Sequence, residues 1–195
     1  MTIESHPLKP FLPLNGQILF LGSFPPPKVR WSMEFFYPNW INDFWRIMGL
    51  IHFEDKSYFE VKGEKRFDKE RIVEFAIAHG LAFYDTATKV KRLKDNASDN
   101  YLEILEPTDI GALLHEMPDC TRIVTTGGKA SEELQVQLSK ASGLADEKLV
   151  PLPQIGDHVE VNAYGRSIKW YRMPSSSRAY PLKIEKKAEF YKNIL

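Results

Sequence analysis

The residue types capable of chemistry gather in four short segments, 22–27, 86–100, 126–129 and 174–178, each rich in Gly, Pro, Ser or Lys. Pro25, Pro26 and Pro27 follow Gly22-Ser23-Phe24 and forbid helix, so the first segment must be a stiff loop. Lys89, Lys91, Arg92 and Lys94 make the densest local run of positive charge, the kind of patch that neutralises phosphates, although such runs also serve as solvated faces. Gly127-Gly128-Lys129 offers backbone N–H groups and one cation but lacks the full spacing of a phosphate-binding P-loop, and a tight turn into a helix is the plainer reading. Ser175, Ser176 and Ser177 present hydroxyls to an anion or to the start of the last helix.

Metal chemistry has no foundation in this sequence. The five histidines (6, 52, 79, 115 and 158) lack ligand spacing, and the one cysteine, Cys120, can form neither an internal disulfide nor a thiolate cluster. Cys120 reads as a buried structural thiol, and no cofactor or metal is expected. Lysine plus arginine equals aspartate plus glutamate, 26 each, so any attraction to nucleic acid must be local.

The elements that hold these segments follow from length and periodicity. At 195 residues, 43% hydrophobic and 12% aromatic, the chain suits one domain spanning 1–195. It contains no apolar run of about 18 residues, and its first ten residues lack the basic-then-apolar order of a signal peptide, so a cytoplasmic protein with no membrane partner is expected. Strands are predicted over 17–22, 81–85 and 122–126, each an apolar run next to a turn signal, and a hairpin over 158–162 and 167–172. Helices are predicted from 41 to about 51, over 68–79 with Gly80 as its cap, and over 108–117 and 129–141, with another at the C-terminus; Asn42 or Asn39 would cap the first. Strands alternating with helices imply a parallel sheet with ligand loops at the strand C-termini. The fold class expected is α/β: a three-layer sandwich whose central, mostly parallel four-stranded sheet is flanked by helices.

The order of these segments resembles the uracil-DNA glycosylase superfamily, most closely its hypoxanthine-DNA glycosylase branch. Leu19-Phe20-Leu21-Gly22-Ser23-Phe24-Pro25 is similar to that branch's strand ending in Gly-Ser-Met-Pro. Phe36-Tyr37-Pro38 followed by Asn42-Asp43-Phe44-Trp45-Arg46-Ile47-Met48-Gly49 is similar to its tyrosines, proline and Asn-x-Phe-Trp-Arg-Ile-Met-Gly string. The resemblance continues through Gly80-Leu81-Ala82-Phe83-Tyr84-Asp85, the basic pair Lys91-Arg92 with Ser98 and Asp99, Thr126-Gly127-Gly128-Lys129-Ala130, and Pro174-Ser175-Ser176-Ser177, and so spans residues 18–180. Three positions depart from the pattern. The gap between Pro38 and Asn42 is two residues longer, Thr126 replaces an Asn, and Arg178 stands where a proline often follows the last serine.

The resemblance implies a monomeric, monofunctional DNA glycosylase that excises a deaminated base, uracil or hypoxanthine, from DNA in base-excision repair. On that reading Asn42, with Asn39 as rival, positions the attacking water through its amide oxygen, which accepts hydrogen bonds at neutral charge. Gly22, Ser23, Phe24 and Pro25 line the base pocket, where backbone N–H groups meet the leaving base. Phe36 or Tyr37 stacks on the extruded base, although aromatics here also suit a core. Lys91, Arg92, Gly127, Lys129, Ser175, Ser176 and Ser177 contact DNA, and Arg178 enters the gap left by the flipped nucleotide. Two alternatives remain open: a non-catalytic relative that binds nucleic acid or a nucleobase, and a hydrolase of small nucleosides.

Overall fold

The computed structural model describes residues 2–93, 101–144 and 148–195. Its centre is a five-stranded sheet. β2 (Ile18–Gly22) lies between β3 (Leu81–Asp85) and β6 (Arg122–Thr126), and β6 continues to β8 (Arg166–Met173), all four parallel. β7 (Asp157–Ala163) adds to β8 as an antiparallel hairpin strand at the edge, giving the order β3-β2-β6-β8-β7. The expected four-stranded sheet is therefore extended by one strand, because the hairpin contributes both of its arms. Strands β2 and β3 are near-continuous apolar runs because a parallel strand is covered on both faces.

A second sheet occupies a stretch expected to be loop. β1 (Thr2–Ser5), β4 (Ala87–Arg92) and β5 (Leu102–Pro107) pair antiparallel in the order β1-β4-β5. The alternation in β4 buries Ala87, Val90 and Arg92, leaves Thr88, Lys89 and Lys91 partly exposed, and its charges conceal it from a search for apolar runs. Lys94, Ser98 and Asp99 lie outside the described residues.

Helices α1 (Phe44–Phe53), α2 (Lys69–Ala78), α3 (Ile110–Glu116), α4 (Gly128–Ala141) and α5 (Ile184–Lys192) follow the predicted pattern. Asp68 caps α2 by accepting from the Arg71 N–H, and Asp109 caps α3 by accepting from the Ala112 N–H. Gly80 leaves α2 at φ 61°, a conformation that an L side chain adopts only with strain. α1 packs on α5, α2 against β3, and α4 against β6 and β7. A three-residue 3₁₀ turn, Lys28–Arg30, follows the proline loop.

The core is aromatic around Phe83, itself fully buried. Its ring centroid lies 5.5–6.3 Å from those of Phe11, Phe20, Phe35, Phe36, Tyr37, Phe44 and Trp45. The pairs with Phe35, Tyr37 and Phe44 are edge-to-face and those with Phe20 and Phe36 stacked, the two arrangements that the ring quadrupole favours. Phe83→Ala is expected to cost about 3–5 kcal/mol, read as a lowered urea midpoint. Cys120 is buried as expected, and burial pushes its thiol up to about 11. The native protein should therefore resist thiol reagents at pH 8 and react at once in urea; rapid native labelling would contradict the buried assignment.

Candidate active site

The parallel strands β2, β3, β6 and β8 all end at one edge of the sheet, and the loops that leave them surround a cleft of about 1000 Å³. Gly22, Ser23, Phe24 and Pro25 form one wall, and Phe36, Tyr37, Asn39 and Asn42 another. Lys129 and the serines Ser175, Ser176 and Ser177 complete the lining. Twelve residues singled out from sequence thus meet in one place.

The segment 36–42 reaches the cleft because it is anchored at many points. The indole N–H of Trp45 donates to the Phe36 carbonyl at 2.9 Å, and Tyr37 stacks on Phe44 at 3.8 Å. The Tyr37 hydroxyl meets Thr126 Oγ1 at 3.0 Å, so the threonine that departs from the family pattern ties β6 to the opposite wall. Burial pushes the Tyr37 phenol far above its ordinary range. Arg46, also buried, donates to the carbonyls of Trp40 (2.8 Å) and Asn42 (3.1 Å) and pairs with Glu60 at 2.6 Å. Asn42 lies opposite Ser177 in an isolated antiparallel bridge, and the Asp43 N–H donates to the Ser176 carbonyl at 2.9 Å. The serine loop and the start of α1 are thereby one unit.

The polar atoms of the two asparagines are partly engaged. Asn42 Oδ1 accepts from the Phe44 N–H at 2.9 Å and Asn39 Oδ1 from the Ile41 N–H at 3.2 Å. A carbonyl oxygen has a second lone pair, and among the described residues neither amide NH₂ is engaged. Asp43, rather than either asparagine, holds the cap position of α1. Phe36 is buried among Phe35, Phe83 and Tyr84, with only 5% of its surface reaching the cleft. Ser176 is buried too, while the hydroxyl oxygens of Ser175 and Ser177 accept from the N–H groups of Ser177 and Ala179 at 3.3 Å.

Four expected DNA contacts, Lys91, Arg92, Gly127 and Arg178, lie outside the lining. Arg92 is buried and bound to Glu4 through Nε at 2.7 Å and Nη2 at 3.1 Å. Lys91 faces Glu103 at 3.5 Å. Both belong to the three-stranded sheet, where alternation sends them to carboxylates on neighbouring strands. Arg178 turns back, its Nε donating to Asp43 at 2.8 Å, and borders a second cavity beside Arg46. Gly127, at φ 111°, precedes Gly128, which does line the cleft. The amides at the start of the fourteen-residue α4 therefore open toward it.

Asp85 was missed by the sequence reading as a site residue. It ends β3 opposite Gly22, lines the cleft, and is 8% exposed. A Cβ at position 22 would overlap Asp85 Oδ1, so the glycine makes room for the carboxylate. Oδ2 accepts from Nε2 of His6 at 2.8 Å, and the other ring nitrogen of His6 sits 2.8 Å from the Leu8 carbonyl. His6 is wedged against Tyr84 and Phe24, at 4.6 and 5.4 Å between centroids. Asp85 was visible as the last residue of a predicted strand, but 79 residues separate it from His6 and nothing local signals the pair.

A mixed sheet of this order with a cleft at its strand ends defines an α/β protein whose fold recurs among solved structures. One of these is the solution NMR structure of a "putative Uracil DNA glycosylase" from Methanosarcina acetivorans, 19% identical, covering 99% of this chain and 96% of that chain with a TM-score of 0.65. The two chains share their fold. No protein-family model matches this chain, and neither does any curated protein.

Arg46→Met is expected to destabilise by about 3–5 kcal/mol, because it leaves Glu60 and two backbone carbonyls without their donor. Equilibrium denaturation measures this; a loss below about 1 kcal/mol would mean that Arg46 does not organise the wall.

Proposed function

We propose that this protein is a DNA glycosylase that hydrolyses the N-glycosidic bond of a deaminated base, uracil or hypoxanthine. The observation that carries the reading is the convergence of segments 22–25, 36–42, 126–129 and 175–177 on one cleft at the C-terminal edge of the sheet. The shared fold with the Methanosarcina protein adds support.

A base inside a duplex must leave the stack before its glycosidic bond can be reached, at a cost of about a few kcal/mol. The cleft is large enough to receive an extruded nucleotide. As the bond breaks, negative charge grows on the base and positive charge on the sugar. Backbone N–H groups of the 22–24 loop stabilise the departing base in the manner of an oxyanion hole. Asn42, with Asn39 as rival, orients the water through the free lone pair of its amide oxygen. Asp85 supplies what an amide lacks, a negative charge beside the developing oxocarbenium, with His6 fixing the carboxylate. Lys129, the start of α4 and the hydroxyls of Ser175 and Ser177 hold phosphates.

A second reading, a non-catalytic binder of the same ligands, draws on the engagement of Asn42 Oδ1 by Phe44 N–H, which is what a helix-start asparagine does without any catalytic role.

Labelled oligonucleotides containing uracil, hypoxanthine or xanthine, treated with protein and then with alkali, separate the two. The glycosylase gives strand cleavage at one lesion; saturable DNA binding with no abasic product selects the binder. Asn42→Ala and Asp85→Asn should each lower single-turnover excision by about 100-fold or more while the fold is retained. An unchanged rate in Asn42→Ala would transfer its role to Asn39.

A further inference from the structure

The fold leaves open what fills the space vacated by an extruded nucleotide. Arg178, the residue the resemblance puts there, is bound to Asp43 and borders the second cavity. Another element stands at the mouth of the cleft. Pro26 and Arg30 both line it, and between them runs the 3₁₀ turn Lys28–Arg30.

This turn is rigid and presents an unusual surface. Pro25, Pro26 and Pro27 fix its approach. The Arg30 N–H donates to the Pro27 carbonyl at 2.9 Å and the Trp31 N–H to the Lys28 carbonyl at 3.0 Å. The Trp31 indole N–H donates to the Pro26 carbonyl at 2.7 Å, and Trp31 pairs with Asn39 across the cleft wall. On this scaffold Val29 is 91% exposed. Its neighbours are cations. Lys28 lies 3.7 Å from Glu34 in a solvent-exposed pair, and the Arg30 guanidinium makes no hydrogen bond or ion pair among the described residues.

A single exposed valine on a surface loop means little by itself. Here its backbone is locked, it is bracketed by two positive charges, and it stands at the sheet edge that carries the cleft. Leu14, the other nearly naked large apolar side chain among the described residues, precedes β2 and so lies at the opposite edge. Apolar side chains flanked by Lys and Arg are what proteins insert between base steps to hold a duplex kinked, with the cations on the adjoining phosphates.

We propose that Val29 is a wedge that enters the DNA stack beside the extruded nucleotide, with Lys28 and Arg30 gripping the phosphates on either side. The proposal rests on the reading of the cleft as a DNA-lesion site. A wedge matters where a stack must be held open, so it acts on duplex DNA far more than on a single strand. Lys28 and Arg30 act on affinity, each through counterion release.

The test uses the full-length protein, lesion-containing duplexes with 2-aminopurine next to the lesion, and the same strand unpaired. Val29→Ala should lower the ratio of duplex to single-strand excision by about tenfold and remove the 2-aminopurine fluorescence rise on duplex binding. Lys28→Ala and Arg30→Ala should each reduce the log–log salt slope of binding by about 0.9. A thermal melt confirms folding, which the exposure of Val29 leaves undisturbed. An unchanged ratio and an unchanged fluorescence rise in Val29→Ala would overturn the wedge. So would transfer of the whole effect to Ile41→Ala, since Ile41 is a large apolar residue that is exposed and lines the cleft. Wild-type protein that unstacks the duplex without excising any base would end the glycosylase reading and keep the wedge; wild-type protein that leaves the duplex stacked would end the wedge.

Discussion

The register of β2 against β3 sets Gly22 opposite Asp85, and the site depends on that pairing. A side chain at position 22 would occupy the space of the carboxylate, so the last residue of β2 has to lack one. A slip of one residue would turn Asp85 into the apolar layer and carry Tyr84 outward, since alternate strand residues face opposite ways. The parallel arrangement then multiplies the effect. Because β2, β3, β6 and β8 run the same way, every loop leaving their C-terminal ends is delivered to one edge.

Rigidity behind this edge comes from two kinds of packing. The aromatic cluster around Phe83 fixes the backbone of residues 35–37 by shape, with Trp45 adding a directed hydrogen bond to Phe36. Arg46 fixes residues 40–42 by charge-assisted bonds to carbonyls that would otherwise be unpaired. Its guanidinium also lies over the rings of Trp40 and Phe67, at 4.4 and 5.0 Å. Lys187 reaches from α5 to the Ser177 carbonyl at 2.7 Å, and burial pulls its ammonium below the usual lysine range while Asp43 opposes that pull. The serine loop is thus held by one helix from below and another from the side.

The central strands were legible because each is an apolar run next to Gly or a turn, and the predicted spans 81–85 and 122–126 coincide with β3 and β6. The cleft walls were legible because Gly, Pro, Asn and Ser cluster at the ends of those runs. The three-stranded sheet was not, since Lys89, Lys91 and Arg92 in β4 read as a charged loop until Glu106, Glu103 and Glu4 are seen opposite them. Two of those pairs cross to the next strand, β5, and the third reaches β1 across 88 residues, and no periodicity within β4 announces them. A similar distance hid the contact between His6 and Asp85. The contact of Arg178 with Asp43 was hidden for a related reason, because 135 residues separate the two.

The central claim is that one cleft at the strand ends receives the nucleobase. Amide chemical-shift mapping during titration with a short single strand carrying one uracil or hypoxanthine tests it most directly. Perturbations concentrated at residues 22–24, at Asp85, at 126–130 and at 175–177 are the expected result. Perturbations confined to the β1-β4-β5 sheet, with those four groups silent, would contradict the account.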